Sequence, residues 1–119
     1  MSRLETHLAR FREFRDAASA TEADAVRVES WFLASYHAIE ACAAKNRLHI
    51  QKHSRVPEEL TRNLAIFGDR TREVVEAFRF LDLEARAKFV YGGSGTDADL
   101  RRARQSFEAI EAICTEALR

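Results

Sequence analysis

Arg86 and Tyr91, just ahead of Gly92-Gly93, are the pairing in this sequence around which chemistry would centre. A guanidinium offers a fixed charge and a planar fork of donors suited to phosphate or carboxylate, and a phenol adds a hydrogen-bonding hydroxyl. Their spacing of five residues is somewhat over one helical turn, so they meet only if the helix end unwinds or a second copy contributes. The glycines make local unwinding feasible. The competing reading is that an arginine and a tyrosine near a helix C-terminus serve dipole compensation and packing.

A second candidate is the segment from Lys45 to Arg55, which holds Lys45, Arg47, His49, Lys52, His53 and Arg55 and no acid. In a chain with 19 basic and 19 acidic residues it is the one concentrated basic patch, and the absence of net charge excludes a global attraction to polyanions. Its lysines and arginines suit phosphates, and either histidine offers a donor or a proton-transfer group, so the patch reads as an RNA or nucleotide site. Against that stands a solvated inter-helix loop whose charges pair with Glu40, Glu58 or Glu59. A third cluster, Arg101, Arg102 and Arg104, lies at the start of the last helix, where cations oppose the dipole. Pairing with Asp97 or Asp99 accounts for it more simply than a phosphate surface.

Other chemistries lack their residues. There is no Glu-x-x-His pair, no HExxH and no Walker-type loop, and Gly92-Gly93-Ser94-Gly95 follows a helix rather than a strand. Cys42 and Cys114 sit in apolar stretches without a CxxC or zinc spacing and read as buried, reduced thiols. Pairing Cys42 with His37 or His49 as nucleophile and base is the weaker reading for a mid-helix apolar cysteine. No metal and no cofactor is expected. The longest run without a charged residue, Ser30 to Ile39, is much shorter than the roughly 20 residues a spanning helix needs, and the start of the chain lacks an apolar signal core. No membrane association is expected, and the expected location is cytoplasmic.

The elements that must position these residues are helices, since Pro57 is the only proline and there are only four glycines. Ser2 to Ala18 opens with a capping signal, Ser2-x-x-Glu5, and aligns Leu4, Leu8, Phe11, Phe14 and Ala18. A start signal at Ser19 to Glu22 opens a second helix reaching about Asn46, whose Val26, Val28, Trp31, Phe32, Leu33, Tyr36, Ile39 and Cys42 make it the most buried. Pro57, Glu58 and Glu59 start a short helix with Leu60, Leu64 and Phe67 on its face, closed by Gly68. Asp69 caps a longer helix carrying Val74, Phe78, Leu81, Ala85 and Phe89 and ending at Tyr91-Gly92-Gly93. Thr96-x-x-Asp99 caps the last, with Leu100, Ala103, Phe107, Ile110, Cys114 and Ala117 in an unbroken three-four alternation suited to a bundle seam or a dimer interface. Residues 1–119 thus read as one all-α domain, an antiparallel four-helix bundle with one short additional helix.

Three pieces together resemble the HEPN superfamily of small helical bundles. They are Ala34-Ser35-Tyr36-His37-Ala38-Ile39-Glu40-Ala41, the loop Lys52-His53-Ser54, which is similar to a Lys-x-His-Ser loop, and Leu83-Glu84-Ala85-Arg86 leading to Tyr91-Gly92. The resemblance spans roughly Val26 to Gly93. It implies a homodimer and, in many members, a metal-independent ribonuclease built on an Arg-x4-6-His motif near the dimer interface. It also implies, for many members, a toxin-antitoxin setting with a small nucleotidyltransferase partner. Here Tyr91 stands where nuclease members keep histidine, and a phenol titrating near pH 10 is a poor proton-transfer group at neutral pH. The chain resembles the tyrosine-glycine branch, in which nuclease activity does not follow. Arg47 and His53 also satisfy an Arg-x5-His spacing, but in a loop, and are read as a chance match. The expectation is therefore a non-catalytic RNA- or nucleotide-associated module. One alternative is a ribonuclease using Arg86 with His49 or His53, and another is a purely structural interaction bundle.

Overall fold

The computed structural model describes residues 1–119, and all of its regular structure is helical. Helix α1 spans Arg3–Ala20, α2 Asp24–Lys45, the short α3 Val56–Arg62, α4 Thr71–Arg79 and α5 Asp97–Ala117. Beyond Arg79 the fourth helix continues in the wider π register, over Phe80–Ala85 and Ala87–Gly92. Four long rods and one short helix make the expected all-α bundle, 38 Å along its longest axis.

Burial explains the arrangement. Helix α2 is covered around most of its circumference, with Val28, Phe32, Ala34, Ser35, Ile39, Glu40, Ala41 and Cys42 each no more than 1% exposed. It packs against α1, α5 and the π stretch, so it is the central rod. Val74, Phe78, Leu81 and Ala85 are fully buried from the fourth helix, and Ala103, Phe107, Ile110 and Cys114 from α5, as their spacing predicts. Cys42 Sγ donates to the Cys114 carbonyl at 3.7 Å across the α2–α5 contact, and both thiols are free.

Several expectations shift. The expected α1 stripe is only half covered, with Ala18 its one buried residue, although Phe11 stacks on Phe107 and Phe14 on His37. Helix α1 runs on to Ala20, past its expected end near Ala18, and α2 starts at Asp24, just after the Ser19–Glu22 signal, with the turn closed by Thr21 Oγ1 accepting from the Ala23 N–H. Val26 then lies on the outer side of the first turn, 49% exposed, and does not join the core. Helix α3 stops at Arg62, so Leu64 falls beyond it and is exposed while Leu60 and Phe67 are buried.

The connection into α5 is tightly built. Thr96 and Asp99 form the expected reciprocal cap, and Lys88 reaches Asp99 at 3.1 Å, tying the end of the π stretch to the start of α5. The Arg101–Arg104 cluster therefore does not take Asp99: Arg102 lies 4.0 Å over the Phe80 ring and Arg104 5.6 Å over Trp31. The Phe89 ring packs directly on Gly95, where an added Cβ would sit 2.3 Å from it and displace the ring.

The Thr96 backbone N–H, then Lys88 and the Thr96 hydroxyl, hold the Asp99 carboxyl below its ordinary 3.8. A depressed carboxyl contributes stability that is complete above the unfolded value and is lost as pH falls below it. Urea midpoints measured at pH 7 and pH 3 should therefore differ more for wild type than for Asp99→Asn; equal pH losses would show that the cap carries no charge-dependent stability.

Candidate functional site

Glu29, Phe32, Leu33, Tyr36, His37 and Glu40 recur at three- and four-residue steps and so share one stripe of α2, about 16 Å long. Each end of that stripe anchors a polar cluster, and a groove lies between them.

At the first end stands Arg86. Its Nε donates to Glu29 Oε1 at 2.9 Å, Nη1 to Asp82 Oδ1 at 3.0 Å and Nη2 to the Tyr91 hydroxyl at 3.2 Å. Its guanidinium lies 4.1 Å over the Phe32 ring. Contact between residues 86 and 91 follows from the π register, whose i→i+5 bonding brings together side chains that an α-helix holds further round the rod. Arg86 and Tyr91 therefore meet within one chain.

Burial opposes the charge on Arg86, but hydrogen bonds and charge from Glu29, followed by the Asp82 bond, outweigh it and hold the guanidinium more firmly protonated than usual. Two carboxylates on one cation leave no surplus positive charge for a phosphate. Asp82 also reaches the loop, its Oδ2 lying 3.5 Å from His53 Nδ1, and the His53 ring packs edge-on against Phe32 at 5.3 Å.

The second end is Glu40, whose side chain is 1% exposed. Its Oε1 accepts from the Ile50 N–H at 2.9 Å, and Oε2 from the Gln51 N–H at 3.2 Å and the Tyr36 hydroxyl at 3.0 Å. His49 Nε2 stands 3.6 Å from Oε2. His7 comes in from α1, with its Nδ1 2.9 Å from His37 Nδ1. Burial raises the Tyr36 phenol well above its usual range, with the Glu40 charge adding to the shift. Burial likewise lowers His7, and burial followed by the charge of His7 lowers His37 to about 4, so both rings are neutral at pH 7.

The basic segment does not form one surface. Lys45 turns back to the Ala117 and Arg119 carbonyls at 2.8 and 3.1 Å, as a cation near a helix C-terminus should. Arg55 pairs with Glu59 at 3.2 Å, while His49 and His53 go to two different carboxylates. Arg47 and Lys52 are exposed and outside these pairs. Between the two clusters Phe32, Leu33, Tyr36, His37, Gln51, Lys52, His53 and Ser54 line an open groove of about 340 Å³. A larger cleft of about 410 Å³ between α1, α2 and α5 contains Arg15, Arg27 and Arg104, but Glu108 and Glu111 share its walls and Asp24 pairs with Arg27.

The residues alone single out Arg86, Tyr91 and the loop histidines, and they name Glu40 as a partner for the loop's charges, as His49 bears out, but not the roles of Glu29, Asp82 and Phe32 or the burial of Glu40. The usable signal was the 29-32-33-36-37-40 spacing, which mixes acids, aromatics and a histidine on one stripe. Compared with known proteins, the chain matches no family model, no curated protein and no solved structure.

Removing the guanidinium would leave Glu29 and Asp82 facing each other without their cation. Arg86→Ala should cost about 2–4 kcal/mol in urea unfolding, and Arg86→Lys, which keeps the charge but loses the fork, should recover less than half of it. Wild-type stability in Arg86→Ala would show that the cluster does not hold the π stretch.

Proposed function

We propose that the chain is a HEPN-like helical module that binds RNA or a nucleotide in the groove on α2 without cleaving it. The observation that carries this reading is the lining of that groove. Tyr36, half-exposed above the buried and Arg86-capped Phe32, supplies aromatic surface against which a base stacks, and Lys52 supplies a cation outside any ion pair to meet a phosphate. Arg86, spent on two carboxylates, supports a role in holding the groove's end rather than in stabilising phosphate charge.

This reading carries a homodimer and a small nucleotidyltransferase partner of toxin-antitoxin type as further parts of the proposal. Tyr91 and Leu83, 73% and 66% exposed, offer apolar area beside Arg86 for a second copy to cover.

Titration of fluorescein-labelled single-stranded RNA and of ATP at low salt should show saturable binding of at least one of them. Lys52→Ala should weaken it several-fold and lower the salt slope by about 0.7 on single strands. Tyr36→Ala should remove about 1–3 kcal/mol of stacking. Absence of binding to both ligands at low salt would remove the proposal.

One observation favours a second reading, a metal-independent ribonuclease. Arg86 and His53 share Asp82 within one chain, so a charged group and a proton-transfer group lie side by side. It expects RNA cleavage in the presence of chelator that is lost in His53→Ala. Cleavage surviving both His53→Ala and Arg86→Ala would belong to a contaminant.

A further inference from the structure

Three of the four histidines in the chain converge on one buried carboxylate, each from a different element: His7 from α1, His37 from α2 and His49 from the following loop. Glu40 is the only carboxylate in the buried interior. It accepts from two backbone N–H groups and a phenol, yet neither lysine nor arginine faces it. Hydrogen bonds of this kind solvate a buried anion but leave its charge uncompensated.

From this cluster we infer a binding site for one divalent transition-metal ion of the zinc type, with His7, Glu40 and His49 as its protein ligands. Their ligand atoms all lie within 4.8 Å of one another, and His49 Nε2 is 3.6 Å from Glu40 Oε2. Two ligands of a tetrahedral ion at bonds of about 2.1 Å stand about 3.4 Å apart, so the His49–Glu40 edge is already near that length. The remaining closure needs movement of under about an ångström and a half along the longest edge, and His49, 39% exposed at its side chain, has room to make it.

The surroundings hold the ligands as a metal site requires. His7 Nδ1 meets His37 Nδ1 at 2.9 Å, which fixes the His7 ring and leaves Nε2 as its ligand atom. His37 is itself clamped by stacking on Phe14, with ring planes 6° apart, and by the edge of Tyr36. The Glu40 carboxylate is oriented by the Ile50 and Gln51 N–H groups, and Gln51 adopts a left-handed φ of 75° to supply one of them. A backbone held in that region by a non-glycine residue is strain maintained by its surroundings, here the same carboxylate. Two imidazoles and one carboxylate select zinc, cobalt or nickel over magnesium and calcium, which prefer all-oxygen ligands. Three protein ligands leave the fourth position to water.

The test uses untagged protein stripped with chelator, titrated calorimetrically with Zn²⁺ and, for a visible spectrum, with Co²⁺. One equivalent per chain should bind, Co²⁺ should give the intense visible bands of a tetrahedral centre, and saturating Zn²⁺ should raise Tm. His7→Ala and His49→Ala should each weaken Zn²⁺ at least 10-fold. His37→Gln should weaken it about 10-fold by releasing His7, and His53→Ala, at the other cluster, should leave it unchanged. Mg²⁺ should not compete. Because Glu40→Gln disturbs the loop, the two histidine variants decide the matter, with circular dichroism confirming their fold. Failure to bind one equivalent, or equal affinity in wild type, His7→Ala and His49→Ala, overturns the inference. RNA and nucleotide binding by the chelated protein is read separately, so either result stands without the other.

Discussion

The buried carboxylate of Glu40 is the constraint on which the working face depends. A charge in the interior survives only if donors surround it, and here the donors are drawn from the loop as well as from α2. Binding the Ile50 and Gln51 amides stops the chain just after its exit from α2 and folds Gln51, Lys52 and His53 back over the aromatic stripe. Gln51 is held at a left-handed φ of 75° by that anchor, whereas Arg47, at 61°, closes the end of α2 through the Arg47 and Leu48 N–H groups donating to the Ala44 and Ala43 carbonyls. The groove exists because the loop that forms its far wall is fastened from beneath.

The other end of the stripe is held by the opposite arrangement, one cation among acids. Arg86 bridges α2 to the π stretch through Glu29 and Asp82, and Asp82 passes the link to His53 in the loop. The loop is thus fastened to the central helix at Glu40 and to the fourth helix through Asp82, with Arg86 joining the fourth helix to the central one. Between these points the groove presents the half-exposed rings of Tyr36 and His37, with Lys52 as its one cation outside an ion pair.

Much of this architecture was legible in the residues. The α5 stripe from Leu100 to Cys114 and the fourth-helix stripe from Val74 to Ala85 obey the helical period, and punctuation at Pro57, Gly92 and Thr96 places the breaks. The period gives a face but not how completely a partner covers it, which is why the α1 stripe reads as core-facing and lies half open. Composition shows that Lys45 to Arg55 is basic without showing that Lys45 turns to the C-terminus and Arg55 to α3. Glu40 reads correctly as a partner for the loop, but its burial escapes, because an acid within an apolar run passes for a surface residue until the loop that solvates it is in place. The π register escapes for a related reason: nothing local in Phe80 to Gly92 announces i→i+5 bonding, and only packing reveals it.

That register also sets the angular phase of the chain beyond it. A widened coil turns through a smaller angle per residue than an α-helix, so over Phe80–Gly92 the side chains fall progressively behind the α-helical count. The lag is what sends Lys88 toward Asp99 and Tyr91 back over Arg86 instead of each to a neighbouring sector of the rod. Shortening the stretch by one residue would change no side chain's chemistry, yet it would turn everything downstream back by roughly a quarter turn and unmesh the fourth helix from the fifth.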